Sequence, residues 1–394
     1  MQYRKFGSLD LEVSALGFGA MRLPVKDGEI DEPEATRMIR YAVDHGVNFV
    51  DTAYVYHNGT SEGFVGRALK DGYREKVKLT TKLPSWDVKS KADFDRFLDE
   101  QLRRLDTDYL DFYLLHSMGK KRWTELRDLG ILDWAEEAMA KGLFRHLGFS
   151  FHDDAEAFKQ IIDDYNWAMC LVQYNYMDVD NQAGREGVQY AADKGVAVAV
   201  MEPLLGGNLA SRAEAVQAVW DKAAKKRTPV EWALHWLWSQ PEVSTVLSGM
   251  TTMEQVKQNV AYAAAAKVEM LNPEELALFD EARAIHEALT AIPCTECGYC
   301  KPCPSGVDIT ENISLYNDAV KYEMLETCRK RYRFWENAYK TNPMFGEKIQ
   351  AANCTACGEC EEKCPQSIPI SRWMEIIDDV MGKGKPVVKK LDQQ

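Results

Sequence analysis

The run Gly46-Val47-Asn48-Phe49-Val50-Asp51-Thr52-Ala53-Tyr54-Val55-Tyr56 decides the fold. Its apolar part, residues 47–50, is β-branched and aromatic, follows a helical stretch ending at His45-Gly46, and stops at a carboxylate, with a phenol at Tyr56 beyond it. A short apolar run bounded in this way reads as a buried parallel strand. The same unit recurs on both sides. Strands are expected at residues 16–20, 47–51, 77–82, 109–116, 145–150, 169–173, 196–201 and 243–249, with helices at 33–44, 61–69, 92–105, 132–141, 154–163, 184–194 and 229–239. Eight strands alternating with amphipathic helices predict the α/β class and a closed (β/α)8 TIM barrel. In front of it, residues 3–6 and 12–13, joined by Gly7-Ser8-Leu9-Asp10, read as an N-terminal hairpin plugging the barrel floor. The stripe Trp232, His235, Trp236 and Trp238 reads as core packing under the eighth strand.

A barrel takes roughly 250 residues, and the chain has 394, which leaves room for a second unit. With 61 acidic against 48 basic side chains the net charge is -13, which argues against nucleic acid or an anionic membrane as the main partner. No apolar run is long enough to span a bilayer, and Arg4, Lys5, Asp10 and Glu12 stand where a signal peptide needs an apolar stretch. The expected location is therefore cytoplasmic. Nine of the ten cysteines lie beyond residue 290, eight of them in two tight clusters. In a reducing compartment, clustered thiols read as metal ligands rather than disulfides.

The strands end in Asp51, Lys82, His116, Ser150, Gln173 and Gly249, with Glu202 just past the seventh. Barrels of this kind do their chemistry on that face. Taken singly, each of these groups has a structural reading: a buried ion pair for Asp51 and Lys82, a rim aromatic for Tyr56. Together they are chemically complementary. The motifs Gly46 to Tyr56 with Ser61-Glu62, Thr81-Lys82, Leu114-Leu115-His116, Gly148-Phe149-Ser150, Gln173-Tyr174-Asn175 and Pro203-Leu204, in this order, resemble the aldo-keto reductase family over about residues 1–290.

The resemblance implies a catalytic tetrad of Asp51, Tyr56, Lys82 and His116. Hydride transfer to a carbonyl puts negative charge on its oxygen, which must receive a proton or a strong hydrogen bond. Tyr56 is the expected acid, Lys82 the neighbour that lowers its pKa, Asp51 the group that aims Lys82, and His116 the group that orients the carbonyl oxygen. It also implies NADPH or NADH, with Ser150 and Gln173 near the carboxamide. Gly206, Gly207, Gly249, Thr251 and Asn259 then fall along the phosphate-side loops and the helix after strand eight, where Thr251 to Glu254 reads as a capping box. The chain departs from the family at Phe151 for an Asn, Met201 for an aromatic, Gln255 for an arginine, and Gly249 for a basic residue.

Beyond residue 290, Cys294, Cys297, Cys300 and Cys303-Pro304 form one run, and Cys354, Cys357, Cys360 and Cys364-Pro365 another. Two such runs resemble the two-cluster bacterial ferredoxins. That likeness assigns Cys294, Cys297, Cys300 and Cys364 to one [4Fe-4S] cluster, and Cys354, Cys357, Cys360 and Cys303 to the other. Zinc is the competing metal, since four cysteines in two C-x-x-C pairs also make a tetrahedral site. Residues 309–344 read as two helices, so the expected organisation is a barrel at 1–290, a mainly helical ferredoxin-like dicluster domain at 291–380, and a flexible tail at 381–394. Aldo-keto reductases carrying such a C-terminal domain form a subfamily that the whole chain resembles. Cys170 and Cys328 read as isolated thiols.

The expected function is that of an oxidoreductase acting on a small carbonyl or alcohol substrate, with the clusters in electron transfer and a ferredoxin- or flavodoxin-type electron partner in an anaerobic host. Two other readings stand beside it. One is an electron-relay protein with a vestigial barrel site; the other is a redox-neutral enzyme with tightly bound nicotinamide and structural clusters.

Overall fold

The computed structural model describes residues 1–210, 213–294, 298–341, 349–389 and 391, with 336–341 described by backbone alone. Packing divides the chain into two units, Met1–Gly206 with Val230–Pro273, and Gly207–Pro229 with Glu274–Gln394.

The first unit is a closed barrel of eight parallel strands, Leu16–Gly19, Phe49–Asp51, Lys78–Leu83, Leu110–Met118, Phe144–Phe151, Met169–Gln173, Ala197–Met201 and Val243–Gly249. Each lies beside its neighbours in sequence, and the eighth closes on the first with Val246 level with Leu16 and Gly249 level with Gly19. The barrel floor is filled by the antiparallel hairpin Tyr3–Lys5 and Glu12–Ser14. Phe6, from its turn, packs its ring 5.6 Å from Phe49 and 5.0 Å from Phe112.

Strand periodicity then fixes what reaches the opposite rim. Phe49, Phe112, Leu114, Met169, Leu171, Ala197, Ala199 and Leu247 form the barrel interior. Because side chains alternate between faces with a period of two, Asp51, His116, Gln173, Met201 and Gly249 share that inward parity. Register carries it to Lys82, level with Leu114, and to Ser150, level with Leu171.

Two helices outran the sequence pattern, Lys120–Asp128 in the barrel unit and Glu214–Trp220 in the second unit, as did the small hairpin Val25–Lys26 and Glu29–Ile30. In Lys120–Asp128 just Trp123 and Leu126 are buried, too few apolar positions to show a helical period. The tryptophan stripe is core: Trp232 and Trp238 are buried, and Trp238 Nε1 donates to Ala15 O at 2.8 Å.

In the second unit the helices Ile309–Lys321, Leu325–Thr341 and Ile370–Ile377 surround a core that includes Ile313, Tyr316, Tyr332, Trp373, Met374 and Ile377. Six cysteines, Cys294, Cys300, Cys303, Cys354, Cys360 and Cys364, pack against it. The segment Gly207–Pro229 belongs here too. Asn208 donates to Asp318 at 3.3 Å, Trp220 packs 5.1 Å from Phe279, and Arg227 pairs with Glu275 at 2.5 Å. The stretch after Gly382, expected to be a flexible tail, is held as far as Val388: Tyr316 Oη donates to Val388 O at 2.8 Å and accepts from Val388 N at 2.9 Å, while Arg329 donates to Lys385 O at 2.7 Å.

Candidate active site and cysteine cavities

At the C-terminal rim, Lys82 Nζ donates to both oxygens of Asp51, at 2.7 and 2.8 Å, to Thr52 O at 2.8 Å, and to Tyr56 Oη at 3.2 Å. Both members of the ion pair are buried. The Tyr56 ring stands edge-on to the His116 imidazole at 6.2 Å. Three of the four expected groups are thus in direct contact, and the fourth faces them.

The loop carrying Tyr56 is fixed from below. Thr52 and Ser61 share a hydroxyl hydrogen bond of 2.9 Å. Glu62, fully buried, accepts from Thr81 and Gln101 at 2.6 Å each and from Arg104 at 3.2 Å. After Tyr56 the chain turns through two left-handed residues, His57 (φ 50) and Asn58 (φ 53). Such φ values cost a non-glycine residue free energy, and this turn is held by its bonds. His57 Nε2 accepts from Leu23 N at 3.2 Å, so this histidine braces the loop.

Burial sets the protonation of the site. It pushes the Tyr56 hydroxyl above the ordinary tyrosine value; the Lys82 ammonium pulls the other way and loses, with Asp51 and Glu202 adding to the rise. The sequence-based expectation of a lowered Tyr56 value is therefore corrected: desolvation outweighs the lysine. Burial also works against the Lys82 charge, but Asp51 and Tyr56 together hold it above the ordinary lysine value. His116 is kept neutral, well below the usual imidazole range, by burial and then by the charges of Lys82, His152 and Arg122. Its Nδ1 is buried with no hydrogen-bond partner among the described residues.

In the second unit the cysteines line two cavities. One is bounded by Cys300, Cys303, Cys354, Cys357 and Cys360 with Ile309, Ile370 and Met374. The other is bounded by Cys294, Cys300 and Cys364 with Ile309, Ile313, Ile368 and Ile370. Cys303 thus lines the cavity with the second run, Cys364 the cavity with Cys294, and Cys300 lines both; Cys297 lies outside the described residues. Burial, then Glu361, pushes the Cys360 thiol up to about 11. A thiolate there needs a cation beside it. Cys170 and Cys328 are buried apart from both cavities, and burial pushes Cys328 up to about 12.

Residues 15–284 match the sequence profile of the aldo/keto reductase family, and residues 293–368 that of the 4Fe-4S dicluster domain. The chain belongs to the aldo/keto reductase family. Among solved structures, an aldo-keto reductase from Bacillus halodurans in its holo form is 30% identical, with 72% of this chain and 96% of that one covered at a TM-score of 0.60. A second, from Klebsiella pneumoniae in complex with NADPH, is 28% identical over 71% and 95%, at 0.58. By sequence, L-galactose dehydrogenase of Arabidopsis thaliana is 28% identical over 73% of this chain and 95% of its own length. NADH-specific methylglyoxal reductase of Escherichia coli is 27% identical over 65% and 91%.

This aldo/keto reductase carries the residues expected to meet a dinucleotide in mixed states. Ser150 is buried and its Oγ accepts from Ser117 N at 2.7 Å, leaving its own hydrogen to donate. Gln173 is engaged on both sides, donating to Asp178 at 2.8 Å and accepting from Gln182 at 3.1 Å. Asn259 is buried and donates to Ser248 Oγ at 3.1 Å. Gly206 and Gly207 adopt φ of 67 and 103, with Gly206 in the first unit and Gly207 in the second. Gly249 is covered by Arg22, whose side chain lies 3.1 Å from where a Cβ would stand.

The capping box of the helix Met253–Ala264 is formed by Thr252 and Gln255, one residue later than expected. Gln255 Oε1 accepts from Thr251 N at 2.7 Å, and Thr251 Oγ1 donates to Arg22 O at 3.1 Å. Two neighbours of His116 had no sequence signal at all. Trp86 lies 4.9 Å from its ring, and Arg122 reaches over Trp86 from the unforeseen helix Lys120–Asp128.

Proposed function

We propose that the chain interconverts a carbonyl and an alcohol on a small organic molecule at the barrel rim, using a nicotinamide dinucleotide, with two [4Fe-4S] clusters in electron transfer. The observation that carries this reading is the Lys82 ammonium held between Asp51 and the Tyr56 hydroxyl. In the reducing direction, Tyr56 gives its proton to the developing alkoxide while Lys82 stabilises the phenolate left behind. Asp51 keeps Lys82 charged and aimed. His116, neutral, donates or accepts a hydrogen bond without adding a charge that would compete for the proton.

The nicotinamide, when bound, supplies the hydride, which together with the Tyr56 proton balances the reduction. Ser150, with a free hydroxyl hydrogen, and Gln173 would meet its carboxamide at the strand ends, Gln173 by giving up a contact with Asp178 or Gln182. The relative bound to NADPH and the relative named for NADH support the class of cofactor rather than a choice within it.

The cysteine cavities favour clusters over zinc. Residues 293–368 match the 4Fe-4S dicluster profile, and four cysteines packed into one short run followed by Pro are the iron-sulfur spacing rather than that of a tetrahedral zinc site. Thiols spread around a cavity suit a cube that brings its own volume. Each cluster, when bound, would carry one electron, so in the oxidising direction the pair would take up, one at a time, the two electrons that the alcohol's hydride leaves on the nicotinamide and pass them to an outside acceptor, with the proton released to solvent. Cys294, Cys297, Cys300 and Cys364 would hold one cluster, and Cys303, Cys354, Cys357 and Cys360 the other.

The test is Tyr56→Phe in the full-length, anaerobically prepared protein, assayed for NADPH- and NADH-dependent reduction of a panel of aldehydes. The variant should lose roughly 10²–10⁴-fold in rate while keeping its iron. Undiminished reduction would leave the barrel without a working tetrad and favour an electron relay.

A further inference from the structure

We propose that Arg122 is an anion-recognition residue of the substrate mouth, and that the carbonyl substrate carries a carboxylate several bonds from the reacting carbon. The inference rests on the carbonyl reading of the tetrad and names the substrate class that site takes.

Ser117, near the end of the fourth strand, sits in the left-handed region (φ 58), three residues before the helix Lys120–Asp128 begins. Arg122, half-buried on that helix, points back: its Nη1 donates to Ser117 O, and its guanidinium carbon lies 5.8 Å from the centre of the Trp86 ring. Trp86 in turn lies 4.9 Å from His116, and His116 6.2 Å from the Tyr56 ring. Tyr56, His116, Trp86 and Arg122 therefore form one strip, running from the proton donor across an aromatic face to a guanidinium.

Charge accounting distinguishes this arginine from its neighbours. Arg74, Arg104 and Arg127 are each paired with a carboxylate, at 3.0, 2.5 and 2.8 Å. Among the described residues Arg122 has no ion pair; its bond to Ser117 O uses one of five N–H donors. Lys82 is already neutralised by Asp51. Glu202, just past the seventh strand, pairs with Arg22 at 3.8 Å and not with Arg122, and its charge also reaches Tyr56. A half-buried guanidinium with a free fork is the geometry that takes a carboxylate through two parallel hydrogen bonds. The flat Trp86 face suits the apolar stem joining that carboxylate to the carbonyl.

The experiment compares 4-carboxybenzaldehyde with its neutral methyl ester as substrates of the full-length holoenzyme at saturating NADPH. The wild type should favour the acid in kcat/KM. Arg122→Gln should shrink that preference by roughly 10- to 100-fold, the loss expected for a charge-assisted hydrogen bond, and Arg122→Lys should keep part of it. Binding of 4-carboxybenzyl alcohol, followed by tryptophan fluorescence without turnover, should weaken by a similar factor in Arg122→Gln. A preference unmoved by Arg122→Gln, or a wild type that favours the ester, overturns the proposal. If neither aldehyde is reduced while binding of the alcohol still depends on Arg122, the tetrad reading fails and the anion site stands.

Discussion

Replacing Lys82 by Met leaves Asp51 buried against an alkyl chain of similar length, with both its oxygens stripped of the ammonium that now sits 2.7 and 2.8 Å away. Breaking a buried pair by removing one partner costs about 3–5 kcal/mol, because the remaining charge has no compensation. For a domain of this size that corresponds to a fall in Tm of roughly 6–20 °C. Asp51→Leu combined with Lys82→Met removes both charges and should recover part of the loss. The remaining deficit, about 1–3 kcal/mol, comes from Thr52 O, which loses its donor. Both variants should be inactive, so stability and turnover part company in the double variant. The assay is thermal and urea unfolding of the full-length protein under anaerobic conditions, followed by tryptophan fluorescence, beside the aldehyde reduction assay. A single variant as stable as the wild type, or a double variant no more stable than the single, would refute the argument from charge burial.

Two further outcomes follow from the same geometry. Tyr56 is held above the ordinary tyrosine value, so it keeps its proton to higher pH; reduction should be level through the neutral range and fall only above about pH 10, while alcohol oxidation, which needs the phenolate, should rise about tenfold per pH unit below that point. Neutral His116 adds no inflection near pH 6.5, and a reduction profile that falls between pH 6 and 8 contradicts the assignment. Cys360→Ser and Cys364→Ser, which touch different cavities, should each lower the iron and sulfide content by about half, the measure being metal analysis of anaerobically purified protein. Loss of all iron from either variant would mean that the cavities do not fill independently.

Much of this was legible because it rests on period. An alternation of two places Asp51, Lys82, His116, Ser150 and Gln173 on the inner face of a parallel barrel, and a Cys-x-x-Cys spacing brings thiols to one turn. Where a property depends on three-dimensional surroundings, sequence fell short. The lysine beside Tyr56 could be read, but the burial that overrides it could not. The helix Lys120–Asp128 is too polar to show its period, so Arg122 and its approach to Trp86 stayed hidden. The capping box slid by one residue because Gln255, not Glu254, reaches back to the backbone. The lysines near the C-terminus suggested freedom, whereas a single phenol, Tyr316, both donates to and accepts from Val388.

The most direct test of the central claim, that a carbonyl site and two clusters work as one oxidoreductase, is an anaerobic titration of the iron-replete protein with NADPH and then NADH while the visible absorption of the clusters is followed. The account predicts bleaching that reaches two electrons per chain. A protein with its full iron and sulfide that shows no bleaching with either nucleotide would contradict it, and would separate the barrel chemistry from the clusters.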